Sequence, residues 1–149
     1  MQRYLGIDFG KARIGIAKSD PLGLIASGVE TINWDGEKLD YALERIEELV
    51  STYEITAIVL GLPRRTDYKK GQAETKVKEF ANVLKERIDL PIYFQDERLT
   101  SVMAQDYLHK GQSHKKSYRS KIDQVAAEII LQDFLEKQRN LQKKENDNV

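Results

Sequence analysis

Cysteine is absent from this chain, which excludes disulfide scaffolds, thiol nucleophiles and cysteine-ligated zinc, and suits a reducing compartment. Long apolar runs are missing too. Met1 to Gly6 has no basic start leading into a hydrophobic stretch, so neither a signal peptide nor a membrane span is expected, and a cytoplasmic location follows as the default. Histidine is scarce. His109 and His114 are five residues apart across Gly111, a spacing that does not put them on one helix face as paired metal ligands, and they read as surface residues. Net charge is zero, with 24 basic against 24 acidic residues. The balance is uneven along the chain: acids dominate from Glu30 to Glu54, whereas Lys110, Lys115, Lys116, Arg119 and Lys121 lie in a segment without an acid, which marks a local basic surface.

With 149 residues there is room for one domain with its own core and none for a second catalytic domain. Tyr4 to Phe9 and Arg13 to Ala17 read as a hairpin, with a third strand near Ile25 to Ile32. Leu39, Leu43, Ile46, Leu49 and Val50 recur at helical spacing over Glu37 to Tyr53, and the apolar run Ala57 to Leu60 then reads as a buried strand. Val77, Phe80, Ala81, Leu84 and Ile88 repeat the helical pattern over Gly71 to Ile88, before a strand at Pro91 to Phe94. Thr100 or Ser101 caps a short helix through Leu108 that Gly111 ends, and a last helix spans Ser120 to Lys137. Its buried stripe is read as Ile122, Val125, Ala126, Ile129 and Leu135, with Asp123 at the edge. The expected fold is α/β: an antiparallel meander, then alternating helix and strand, giving a mixed five-stranded sheet flanked by helices. The domain spans residues 1–138, and residues 139–149 form a charged tail expected to fray.

Three carboxylates stand out. Asp8 ends an apolar strand and projects opposite to Ile7 and Phe9; Glu97 follows another apolar strand; Asp123 lies in the last helix near Ala126 and Ala127. Each alone has an ordinary reading: a turn cap for Asp8, a helix-dipole partner or an Arg98 ion pair for Glu97, a first-turn acid for Asp123. As a set, three hard oxygen donors suit Mg²⁺ or Mn²⁺, and two such ions can activate water and stabilise the leaving oxygen in phosphodiester hydrolysis without a nucleophilic side chain. Asp8-Phe9-Gly10 is not expected to act as a kinase motif, since the residues ahead of it here leave no space for a nucleotide-binding lobe. Trp34 and Tyr41 sit in the acidic stretch and read as packing or surface aromatics.

Gly6-Ile7-Asp8-Phe9-Gly10, Arg13-Ile14-Gly15-Ile16-Ala17 with Ser19-Asp20, Gly61-Leu62-Pro63, Asp96-Glu97-Arg98-Leu99-Thr100-Ser101 and Lys121-Ile122-Asp123 with Ala126-Ala127 together resemble the YqgF family over residues 3 to 135. That family is similar to Holliday junction resolvases and is associated with nuclease maturation of the small-subunit (16S) ribosomal RNA precursor. The resemblance implies a ribonuclease H-like fold and a catalytic, metal-binding site at Asp8, Glu97 and Asp123. It departs after Pro63, where many relatives have an Asn- and Gly-containing loop and this chain reads Arg64-Arg65-Thr66-Asp67-Tyr68-Lys69-Lys70-Gly71. Lys11, Arg13, Arg64, Arg65, Arg98 and Lys121 are the expected phosphate contacts. The expected partner is structured RNA, with branched DNA as the other substrate and ribosomal particles as the setting. Two further readings stay open at this level: a non-catalytic nucleic-acid or ribosome-binding module, and a fragment of an actin-like ATPase, whose first phosphate loop Gly6 to Gly10 also resembles. Periodicity sets no oligomeric state.

Overall fold

A computed structural model describes residues 2–63, 70–97 and 115–147, with side chains described over 2–63, 72–96 and 121–145. The meander is present as strands β1 (Tyr4–Phe9), β2 (Arg13–Ser19) and β3 (Ala26–Asn33). Helix α1 (Leu39–Thr52), strand β4 (Ala57–Pro63), helix α2 (Lys70–Arg87) and strand β5 (Ile92–Glu97) follow. A long helix, α3 (Lys115–Asp147), completes the described chain. The five strands form one mixed sheet in the order β3-β2-β1-β4-β5. β1 runs antiparallel to β2 and parallel to β4, and β4 runs parallel to β5, as the alternation of elements required. The helix expected over 100–108 lies outside the described residues.

The two faces of the sheet differ in side-chain size. Leu5, Ile7, Ile14, Ile16, Ile58 and Leu60 are fully buried toward α1 and α2, which contribute Leu43, Ile46, Phe80 and Leu84. Period-two alternation puts the intervening residues on the opposite face, and in the hairpin these are Gly6, Gly15 and Ala17. Helix α3 lies against that face so closely that a Cβ on Gly6 would stand 2.8 Å from Leu131 Cβ, and one on Gly15 only 2.0 Å from the Asp123 carbonyl oxygen. A second core of Ala17, Ala26, Val59, Ala127, Ile130, Leu131 and Phe134 fills this layer.

β3 serves both layers through a bulge. Ile16 pairs with Glu30 but Ala17 pairs with Gly28, which leaves Val29 as an extra residue and reverses the alternation. Ile32 therefore faces the α1/α2 core while Ala26 faces α3. Glu30, on the α1 side, accepts hydrogen bonds at 2.9 and 2.7 Å from Arg45 of α1.

Three expectations about the last helix and strand need correction. The buried stripe of α3 is Ala126, Ala127, Ile130, Leu131, Phe134 and Leu135, whereas Ile122, Val125 and Ile129 are only half-buried. The glycines set the backbone of Asp123 and Ala127 and the side chain of Leu131 against the sheet, and this rotation of the helix leaves Ile122, Val125 and Ile129 at the flanks. Asp123 consequently lies in line with Ala127, inside the contact. The helix runs from Lys115 to Asp147, past the expected end at Lys137, because Leu141, Gln142, Lys143, Lys144 and Glu145 are strong helix formers with no glycine or proline among them; these turns are solvent-exposed. β5 extends past Phe94 to Glu97 since Gly61, Leu62 and Pro63 offer a paired ladder to Gln95, Asp96 and Glu97, and pairing overrides weak strand propensity. Among the described residues no helix is long and apolar enough to cross a membrane.

The close approach at Gly15 has a measurable consequence. Gly15→Ala sets a methyl group against helix backbone and is expected to destabilise the fold by about 3 kcal/mol or more. Gly28→Ala, where the nearest atom is the Gln124 Cβ at 3.3 Å, is expected to cost no more than about 1 kcal/mol. Urea midpoints of the two variants check the order; equal midpoints would contradict the flush packing of α3.

Candidate active site and nucleic-acid interface

Gly15 is where two of the three acids meet. Asp8, half-buried near the end of β1, is the register partner of Gly15 across the hairpin, and Asp123 presses its own carbonyl against the same glycine from α3. Alternation along β1 puts Asp8 on the Gly6 face, the face covered by α3. The backbone thus brings residues 8 and 123 to one patch, at the carboxyl end of a parallel strand pair where open α/β sheets form their sites.

Arg13 completes the patch. Its Nε donates a 2.7 Å hydrogen bond to Asp123 Oδ2 in an ion pair whose side chains are 38% and 19% exposed. Arg13 has the alternation parity of Gly15 and Ala17, so the hairpin itself aims the guanidinium at the helix. The first-turn explanation of Asp123 fails, since α3 begins at Lys115 and a helix dipole acts mainly within the first turn.

Glu97 is the last residue of β5, opposite Pro63, at the same edge of the sheet; its side chain lies outside the described residues. Lys11, in the hairpin turn, and Lys121, one half-turn before Asp123, are exposed. Arg64, Arg65, Arg98, His109 and His114 lie outside the described residues. Among the described residues no group of three His, Cys, Asp or Glu side chains could hold a metal ion. The described acids Asp8 and Asp123 are hard oxygen donors, the kind and number with which Mg²⁺ is commonly held alongside water and phosphate.

Residues 2–137 match the family profile RuvX, described as Holliday junction resolvase. The chain belongs to the RuvX family. A RuvX relative from Lactobacillus johnsonii, provisionally named a pre-16S rRNA nuclease, is 43% identical over 136 residues, which cover 90% of this chain and 95% of the relative. One from Roseiflexus sp., given the same provisional name, is 42% identical over 137 residues, covering 92% and 96%. Among solved structures, Thermus thermophilus RuvC in complex with a Holliday junction substrate superposes with a TM-score of 0.57 at 15% identity, covering 93% of this chain and 96% of that one. The Fowlpox virus resolvase bound to Holliday junction DNA gives 0.53 at 12% identity, covering 91% and 98%. These likenesses establish the fold, a ribonuclease H-like sheet of the RuvC type, as the sequence motifs implied.

Sequence reasoning included Arg13 among the phosphate contacts and missed its partner. The signal was available: Arg13 shares strand parity with Gly15, and an arginine beside a glycine-lined helix contact meets whatever acid that helix presents. A double-mutant cycle of Arg13→Ala and Asp123→Ala is expected to give a coupling of about 1 kcal/mol at low salt that shrinks in 1 M NaCl. No coupling would separate the two side chains.

Proposed function

We propose that this chain is a divalent-metal-dependent nuclease that hydrolyses phosphodiester bonds in structured RNA, most specifically the small-subunit ribosomal RNA precursor for which its relatives are named. The observation that carries the reading is the convergence of Asp8 and Asp123 on Gly15, at the strand edge that also ends in Glu97. Two acids held at one patch by backbone packing, on a fold shared with junction-bound resolvases, are hard to explain as independent caps.

Asp8, Asp123 and Glu97 are the residues that would hold Mg²⁺ or Mn²⁺. Bound there, such an ion lowers the pKa of water and neutralises charge on the phosphoryl oxygens. The chain's own side chains do the rest. Arg13 fixes the Asp123 carboxylate through Oδ2 and limits its rotation, leaving Oδ1 as the oxygen not engaged in that bond. Asp8 is paired with Gly15 of β2, and its strand is paired with β4 up to Ile7, so the backbone that carries its carboxylate is held in place, as preorganised electrostatics require. Lys11 and Lys121 flank the acids from the hairpin turn and the helix, and with Arg64, Arg65 and Arg98 they supply positive charge for the phosphates on either side of the scissile bond. The expected setting is cytoplasmic and ribosome-associated. Branched DNA is the second reading, favoured by the family description and by the RuvC likeness.

The test is cleavage of a labelled small-subunit ribosomal RNA precursor and of a four-way DNA junction, with Mg²⁺, Mn²⁺ or chelator, by the native protein and by Asp8→Asn and Asp123→Asn. Cleavage of the RNA that stops with chelator and falls roughly a hundredfold or more in both variants is expected. Cutting of the junction alone reassigns the substrate. Tight binding with no cleavage of either makes this a non-catalytic binding module.

A further inference from the structure

A cavity of about 510 Å³ opens on the α1/α2 face of the sheet, at the same strand edge as Asp8 but on its other side. Phe9, next to Asp8, forms part of its wall, as do Trp34 and Phe80. The three rings make a near-parallel column: Phe80 to Phe9 is 4.3 Å at 17°, and Phe9 to Trp34 is 5.4 Å at 27°. The Trp34 indole nitrogen donates to the Gly10 carbonyl at 3.0 Å, which fixes the ring and uses its only polar atom within the protein. Lys11 and Lys76, both exposed, stand on the lining, and Glu79 adds one carboxylate.

Trp34 lies in an acidic stretch of sequence, but its spatial neighbours include lysines from the hairpin turn and from α2. Phe80 is buried and Phe9 lies between the other two rings, so the half-buried Trp34 at the end of the column is the ring that meets a ligand. With cations beside it, this matches the chemistry of an unpaired nucleotide: a flat base that gains from ring contact and a phosphate that needs positive charge. The volume lies within the range of small-ligand pockets, and Glu79 offers an acceptor to the N–H groups on a base edge. Lys11 belongs to both sites, three residues from Asp8. A strand crossing the sheet edge at Asp8 can therefore place a neighbouring base on the opposite face.

We propose that this cavity is a base-binding subsite for an unpaired nucleotide of the substrate, adjacent to the scissile phosphate. The inference rests on the nuclease reading above and assigns it a determinant of where the enzyme cuts: beside a single-stranded or bulged nucleotide, not within continuous duplex.

Trp34 is the sole tryptophan of the chain and reports occupancy directly. A short single-stranded adenosine oligoribonucleotide, in chelator so that no cleavage occurs, is expected to quench its emission saturably, whereas a matched abasic oligomer is not. Ala73→Phe, which fills the cavity from α2, is expected to weaken oligonucleotide binding roughly tenfold or more and to shift cleavage positions on a bulged RNA. Lys76→Ala is expected to flatten the log–log salt dependence of binding by about 0.7, the change for one single-strand phosphate contact. Equal quenching by the abasic oligomer, or unchanged Trp34 emission while anisotropy shows binding, overturns the subsite. Native circular dichroism of Ala73→Phe with unchanged cleavage positions does so as well, and in either case the acidic-site reading stands or falls separately on Asp8→Asn and Asp123→Asn.

Discussion

Everything at the candidate site depends on how near a helix can come to a sheet. Helices usually rest on a sheet through a layer of large side chains; here Gly6, Gly15 and Gly28 remove that layer under α3, and the helix backbone descends onto the hairpin. The contact is steric before it is electrostatic. Because no Cβ intervenes, the Asp123 backbone is set by β2 itself, and the ion pair with Arg13 then fixes the carboxylate within that frame. The opposite face carries the larger share of bulky aliphatic residues, so stability and site geometry are divided between the two sides of one sheet.

The elements with strong periodicity were legible in the sequence. The hairpin, α1, the buried run of β4 and α2 occur where alternation and helical spacing put them, since each pattern reflects burial against one partner layer. The last helix was legible as a helix and misread in its orientation. Ile122, Val125 and Ile129 fit a helical stripe as well as their neighbours do; packing against glycine instead selects the face of Asp123, Ala127 and Leu131. The reverse error hid the bulge at Val29, which strand alternation cannot show because it is the very feature that breaks it.

Asp8 and Glu97 stand out by their positions at strand ends and Asp123 by its place at the edge of the last helix's stripe, with motif resemblance grouping the three, but what brings residues 8 and 123 together is Gly15, a residue with no chemistry of its own. Its signal was present as a glycine in the middle of an otherwise apolar strand, a position where a missing side chain marks close backbone approach. Trp34 illustrates the same limit from the other side. Its neighbours in sequence are acidic, yet the turn at Gly10 and helix α2 bring Lys11 and Lys76 to the same cavity.

The order of the sheet also bears on synthesis. β1, β2 and β3 precede the other described elements and can pair as a meander from local contacts alone, whereas β1 acquires its parallel neighbour only when residues 57–63 have been made. The glycine face waits longer still, because its cover is α3, the last described element. A nascent chain therefore carries Asp8 long before Asp123 reaches it. The two acids meet only once α3 has been made and has packed against Gly15, so a chain still lacking that helix holds Asp8 without its partner.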